Sequence, residues 1–434
     1  MAASVKSERN VVFIDGCRVP FLRAGTDYRD LMSYDLARMA VKGLMRRTLL
    51  DPGRVDWVIL GTTIANVQTS NVARDAALGA GIPANVPAYT VTLACISANR
   101  AITSGADLIR TGQADIVIAG GTDSVSDIPI RYRKRLRQKL LEARKVKKLP
   151  EYLGLLRGLS LTDVLPEIPS VSEFSTGRTM GEDCERLVSR LGVTRREQDE
   201  YAVRSNLLAA KATQEGLLAG EIETVRLPPD FKPVDRDNGI RGDTTIEKMG
   251  RLKPAFEKPY GSVTAGNSSF LTDGAAVVLI MSEEAARAAG CRPKASFRSY
   301  AYTAQDPVEE LLLGPAYSAP KALDLAGLTL KDIDVFEFHE AFAGQILANL
   351  MCLASDDFAK EKLGKGSKVG EVPMEKLNTL GGSLSIGHPF GATGARLVTT
   401  AVGRLVREGG RYALTASCAG GAHGNAIVLE RYES

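Results

Sequence analysis

Two periods govern the apolar positions of this chain. Short apolar runs, Val11-Val12-Phe13-Ile14, Val58-Ile59-Leu60, Ile116-Val117-Ile118-Ala119 and Ala275-Ala276-Val277-Val278-Leu279-Ile280, end in glycine or polar residues and read as buried strands. Residues 34–49, 71–80 and 97–110 carry apolar side chains near helical spacing and read as helices. A further strand-like stretch, Ala88 to Leu93, leads into Cys95. The alternation predicts an α/β fold with helices covering a sheet.

The pattern then repeats. Asp56-Trp57-Val58-Ile59-Leu60 is matched by Asp334-Val335-Phe336-Glu337-Phe338. Arg110-Thr111-Gly112 before Ile116 is matched by Arg407-Glu408-Gly409 before Ala413. An internal duplication accounts for both, and in its register Cys95 falls beside Gly391 and Ala392. The expected organisation is a first half over 1–123 completed by 262–284, an inserted loop domain over 124–261, and a second half over 285–434. The insertion holds a turn at Thr179-Met180-Gly181, a helical stretch from Arg195 to Glu215, and a Pro/Asp/Gly-rich loop from Pro228 to Asp243.

A chain of 434 residues, 44% hydrophobic and 24% charged, has ample material for two or three cores. No apolar run approaches the roughly 18 residues of a membrane span. The first ten residues lack the apolar core of a signal peptide, and the last residues are not a peroxisomal address. The net charge of +4 conceals an asymmetry: residues 131–148 hold ten Lys or Arg against one Glu. That is one basic segment on an otherwise acidic chain, which argues against nucleic acid as a partner. Leu136, Leu140, Ala143 and Val146 lie at helical spacing within it, and Tyr152, Leu153, Leu155 and Leu156 follow. The segment 131–156 therefore fits an amphipathic helix on an anionic membrane or acidic partner, or else a solvated surface helix.

Six cysteines without CxxC spacing argue against a disulfide framework and against zinc. Only three histidines occur, His339, His388 and His423, all in the last hundred residues. Cys95 precedes a helical stretch, where a helix dipole and unpaired N–H groups would lower its pKa toward a thiolate; the alternative is an inert buried thiol. His388 sits in Gly387-His388-Pro389 ahead of another helix start, a place for a base that takes a thiol proton, or for a helix cap. Cys418 follows a strand read over Tyr412 to Ala416 and precedes Gly420-Gly421, where exposed N–H groups could hold an oxyanion; a small packing residue is the other reading. His339 closes a strand in the second half, and His423 reads as a peripheral contact.

Taken in order, Cys95 before a helix, Val263-Thr264-Ala265-Gly266-Asn267-Ser268-Ser269, His339-Glu340-Ala341-Phe342, Gly387-His388-Pro389 and Cys418-Ala419-Gly420-Gly421 resemble the thiolases, from Val11 to Glu430. The nearer resemblance is to the thiolase subunits of fatty-acid-oxidation complexes, mitochondrial and bacterial. It is carried by Ala94-Cys95-Ile96-Ser97-Ala98-Asn99, Ser172-Glu173-Phe174-Ser175-Thr176, Asp237-Asn238-Gly239-Ile240-Arg241 and Phe338-His339-Glu340-Ala341-Phe342.

The resemblance implies two duplicated βαβαβαββ halves in a five-layer α-β-α-β-α core, and cleavage of 3-ketoacyl-CoA by coenzyme A through an acyl-cysteine. It makes Cys95 the nucleophile, His388 its base, Cys418 the acid and base at the carbanion, and His339 the residue tuning a water at the thioester oxygen. The N–H groups of Cys95 and Gly420 would form the second oxyanion hole. Met180, Ser269, Ala341 and Phe342 would line pantetheine, with Arg241 near the nucleotide. No metal or permanently bound cofactor is implied; coenzyme A is a co-substrate. A homodimer or tetramer, a hydratase/dehydrogenase α subunit and a mitochondrial location are implied, with a cytoplasmic one if the source is bacterial. The sequence departs from the general pattern at His339, Ala98-Asn99 and Ala422-His423, where Ala422 replaces a third glycine. Rival readings are a biosynthetic acetoacetyl-CoA thiolase, a ketoacyl-synthase-type condensing enzyme, and an inactive scaffold.

Overall fold

Alternate residues along single strands face different cores. The computed structural model describes residues 9–148, 155, 157–167, 169 and 172–433. In its first half, strand β1 (Val11–Arg18) is followed by helix α1 (Ser33–Thr48), β2 (Trp57–Gly61), α2 (Val72–Gly79), β3 (Ala88–Val91), α3 (Ser97–Arg110) and β4 (Ile116–Asp123). An excursion carrying helices α4 (Lys134–Ala143), α5 (Met180–Leu191) and α6 (Arg195–Gln214) comes next. The chain then returns as β5 (Thr272–Ser282), which pairs antiparallel with both β4 and β1. The second half runs β6 (Ala295–Ala304), α7 (Gly314–Ala326), β7 (Val335–Phe338), α8 (Ala343–Leu353), α9 (Thr393–Glu408), β8 (Tyr412–Ala419) and β9 (His423–Arg431).

Strand order in the first half is β3-β2-β4-β5-β1, and in the second it is β7-β8-β9-β6, with a parallel bridge Phe336–Leu377 standing where β3 stands in the first. The two sheets meet where β1 and β6 pair at Val12–Ser296 and Phe13–Ala295. The matching aspartates make matching bonds. Asp56 accepts from the N–H groups of Asp115 and Ile116, and Asp334 accepts from those of Arg411 and Tyr412. The duplication is thus repeated down to single hydrogen bonds.

Because strand side chains alternate faces, Val278 and Ile280 of β5 point to one core and Val277 and Leu279 to another. In β9, Ile427 and Leu429 join that first core while Val428 faces a third. The shared core holds α3 and α9; α1 and α2 cover the far face of the first sheet, and α7 and α8 that of the second. These are the five layers that the resemblance implies.

Two expectations about local structure need correction. Thr179-Met180-Gly181 is a helix start rather than a turn: the Thr179 hydroxyl accepts from the Glu182 N–H, and the Glu182 carboxylate accepts from the Thr179 N–H. The basic helix stops at Ala143, so Val146 falls beyond it, and its exposed apolar side chains are Leu140 and Leu141. Tyr152, Leu153 and Leu156 lie outside the described residues. Among the described residues, no helix is long and apolar enough to cross a membrane.

Candidate active site

Cys95 sits in the turn between β3 and α3. Ala94 before it has φ 45°, a left-handed conformation that reverses the chain sharply. The turn is tied by Ser97, whose hydroxyl accepts from the Leu93 N–H and donates to the Ala94 carbonyl. The helix begins at Ser97, two residues past the cysteine.

The matching helix start in the second half brings His388. Its N–H donates to the Thr272 hydroxyl, and Phe390 packs edge-on against its ring at 5.1 Å. Gly391 following it donates to Asp123, which also accepts from Thr62, Thr63 and Ile64. One buried carboxylate therefore joins the end of β4, the loop after β2 and the histidine turn. The halves approach closely here. A Cβ at Gly121 would lie 1.9 Å from the Gly391 carbonyl oxygen, and one at Gly394 would lie 1.9 Å from Asn99 Oδ1.

His339 follows β7 and stacks on His388, with ring centroids 4.0 Å apart and planes at 43°. The Cys95 thiol and one ring nitrogen from each histidine lie within 4.8 Å of one another. Both Nε2 atoms are buried without a hydrogen-bond partner among the described residues. His388 Nδ1 lies 2.7 Å from the Thr393 hydroxyl, which donates its hydrogen to the Pro389 carbonyl. Both contacts form together when Thr393 accepts from Nδ1–H, which leaves Nε2 presenting a lone pair. Burial, and next the positive charge of Arg396, push the His388 pKa down to about 3. Burial likewise holds His339 well below the ordinary histidine range, with His388 and Arg396 adding to the effect.

Burial also pushes the Cys95 thiol up to about 12. Of the two readings of this thiol, burial favours the neutral one: the helix starts two residues late and the site is too dry for the dipole to win. The Gly420 N–H and the cysteine's own N–H favour the anion but do not reverse the shift. Cys418, buried near the end of β8, is likewise pushed up by burial, and next by proximity to Cys95. Its turn continues through Gly420, Gly421 at φ 75° and Ala422 at φ 57°. The Gly421 N–H is held by Glu173 at 3.0 Å. The position lacking its glycine does adopt the left-handed conformation.

A cavity of about 770 Å³ opens over Cys95 and Gly420, walled by Ile64, Val125, Ile128, Met180, Leu271 and Phe390. Arg131 and Glu167, paired across two short strands, form its far wall. Ser269, Ala341 and Phe342 form a neighbouring ledge: the Ser269 N–H donates to the Ala341 carbonyl, and Ser268 bridges to Phe342. Arg241 is exposed and does not line the cavity; it stands near Arg23, whose guanidinium lies 3.8 Å over the Phe270 ring. His423 begins β9 and is not part of the Cys95 cluster.

Sequence reasoning missed the residues behind these groups, Asp123, Glu173, Ser383, Thr393 and Arg396. It also missed the fully buried Glu340 carboxylate as an anchor, which accepts from Tyr201, Ser205, Asn378 and the Leu384 N–H. A buried-type acid beside His339 was its only signal.

Comparison with known proteins supplies names. The family described as thiolase, N-terminal domain, matches residues 11–284, and thiolase, C-terminal domain, matches 291–431. The mitochondrial trifunctional enzyme subunit beta of Bos taurus is 54% identical over 424 residues, covering 98% of this chain and 89% of the relative. A probable 3-ketoacyl-CoA thiolase of Caenorhabditis elegans is 51% identical, covering 99% and 96%. Among solved structures, human mitochondrial 3-ketoacyl-CoA thiolase superposes with TM-score 0.85 at 29% identity, covering 99% of this chain and all of that one. The Bacillus anthracis acetyl-CoA acetyltransferase gives 0.83 at 33% identity, with 98% and full coverage.

Proposed function

The chain belongs to the thiolase family, and from that premise we propose how its buried thiols and histidines cleave a 3-ketoacyl-CoA. The enzyme is an acyltransferase of fatty-acid oxidation, a 3-ketoacyl-CoA thiolase like its relatives, and mitochondrial as the trifunctional ones are.

The observation that carries the mechanism is the cluster of Cys95 with the unpartnered nitrogens of His388 and His339 under an apolar cavity. The acyl chain lies along Ile64, Ile128 and Leu271. Resting Cys95 is a neutral thiol, so its proton passes to His388 Nε2 as sulfur attacks the 3-keto carbon. The C2–C3 bond then breaks, leaving Cys95 acylated and the acetyl-CoA unit as an enolate. Its oxygen faces the imidazolium of His388 and His339. Cys418, kept protonated by burial, gives its proton to C2 and releases acetyl-CoA. The incoming coenzyme A returns a proton to Cys418 and attacks the acyl-cysteine, whose oxygen is held by the Cys95 and Gly420 N–H groups. The shortened acyl-CoA leaves, and Cys95 regains its proton from His388. Covalent catalysis thereby divides one difficult step into two.

Coenzyme A is placed along Met180, Ser269, Ala341 and Phe342, with Arg241 and Arg23 near its phosphates. As a beta-type subunit, the chain pairs in a homodimer or tetramer and with a hydratase/dehydrogenase α subunit. The exposed Leu140 and Leu141 among the basic residues of α4 support membrane contact. The decisive assay measures thiolysis of 3-ketoacyl-CoA substrates across chain lengths, with and without an α subunit. Condensation of acetyl-CoA faster than thiolysis at every length would favour the biosynthetic reading instead.

A further inference from the structure

His388 and His339 present the same atom, Nε2, to the same space, yet the proposed reaction needs opposite things from them at rest. His388 must accept a proton there, and His339 must donate one. The fold dictates the first through Thr393. The second is dictated by a residue with no assigned role.

Among the described residues, the Ser383 hydroxyl has two partners. One is Arg396, whose terminal nitrogen lies 3.1 Å away and can only donate. The other is His339 Nδ1, at 3.0 Å. The guanidinium takes one of the two lone pairs of the hydroxyl, and among the described residues the only acceptor in reach of the Ser383 hydrogen is Nδ1. The arrangement that satisfies that hydrogen leaves Nδ1 bare and puts the proton of the neutral His339 ring on Nε2, aimed into the site.

Arg396 is confined by burial: among the described residues its guanidinium makes one hydrogen bond, the one to Ser383. It is fully buried on α9 and lies 3.6 Å from Glu337 of β7, whose other oxygen accepts from Arg404 at 2.9 Å. The guanidinium cannot turn toward solvent, so the direction of the serine hydroxyl is built into the packing of α9 on β7.

We propose that Ser383, directed by Arg396, is the positioning residue that holds His339 as the Nε2–H tautomer and so makes it an oxyanion donor, leaving His388 as the base. The proposal rests on the thiolase reading above. It adds that two stacked histidines are held in opposite tautomers by two hydroxyls, one that accepts and one that donates.

With only three histidines in the chain, long-range nitrogen–proton spectra of the [15N]histidine-labelled full-length enzyme can assign each ring. The expected spectrum of the wild type shows His339 protonated at Nε2 and bare at Nδ1, with His388 reversed. A His339 ring protonated at Nδ1 overturns the proposal whatever any variant does. Outright loss of an oxyanion donor costs about 10²–10³ in kcat. Ser383→Ala, which frees the ring to take either tautomer, is expected to lose about tenfold or more of that. KM for coenzyme A should stay within about twofold, since Ser383 is none of the residues placed along coenzyme A. Ser383→Thr, which keeps a hydroxyl, should restore both the rate and the spectrum. An unchanged kcat in a folded Ser383→Ala enzyme would also end the idea. Absence of thiolysis in the wild type would instead remove the functional reading beneath it.

Discussion

His339 and His388 stand ring against ring, their centroids 4.0 Å apart, with neither Nε2 atom hydrogen-bonded among the described residues. Two buried imidazoles this close cannot both hold a charge. His388→Asn removes the proton acceptor for Cys95 and is expected to lower kcat by about 10²–10⁴. Stopped-flow measurement of acetyl-CoA release checks this; a loss of less than about fivefold would exclude His388 as the base.

The same burial makes the fold acid-sensitive. The His388 pKa falls from about 6.5 unfolded to about 3 folded. Between those values the unfolded chain binds more protons. The full contribution is therefore present above about pH 6.5 and is lost as pH falls toward 3, at up to about 1.4 kcal/mol per unit. Urea unfolding from pH 7 to 4.5 should decline less steeply for His388→Asn than for the wild type. Parallel slopes would contradict a buried neutral His388.

Cys95 should behave as a thiol, not a standing thiolate. With its pKa pushed up to about 12, iodoacetamide alkylation of the free enzyme should accelerate about tenfold per pH unit from pH 7 to 10 without a plateau. A plateau below pH 8 would restore the helix-dipole picture.

Cys95→Ala should leave no acyl-enzyme detectable by intact-mass measurement after exposure to 3-ketoacyl-CoA, with thiolysis reduced by about 10⁴ or more. Acylation persisting at full stoichiometry would place the nucleophile elsewhere. Cys418→Ala, in contrast, should slow release of acetyl-CoA while leaving Cys95 open to alkylation.

Gly394→Ala tests the contact between the halves. Its Cβ would meet Asn99 Oδ1 at 1.9 Å and the Asn99 N at 2.8 Å. The helix starts must separate, at a cost of about 1–3 kcal/mol, read as a lower denaturation midpoint together with a slower kcat. A midpoint unchanged from wild type would show that the α3–α9 contact is loose.

The legibility of this chain divides along physical lines. The buried strand through Val277 and Val278 and the paired aspartates Asp56 and Asp334 follow from local pattern and are legible in the sequence, whereas which core each valine faces is not. Cys95, His388 and Cys418 stood out because their types are scarce and their turns rich in glycine. The ionisation of Cys95 stays open in the sequence because desolvation depends on what packs over the turn, which no window of sequence contains. Ser383 acts through His339, 44 residues earlier, and Asp123 through Gly391, 268 residues later. Such partners become visible only when the halves are folded together. The basic run reads as a longer helix than Lys134–Ala143 because charge pattern does not mark its end.

Ala94 and Ala422 hold left-handed backbone, φ 45° and φ 57°, at the two turns that carry Cys95 and follow Cys418. Each costs roughly 1–2 kcal/mol that a glycine would not. The chain thus sets part of its folding stability against the rigidity of its two reactive turns. A glycine at either position would relax the backbone and loosen the thiol it positions, so that thermal endurance and turnover pull in opposite directions at these two residues.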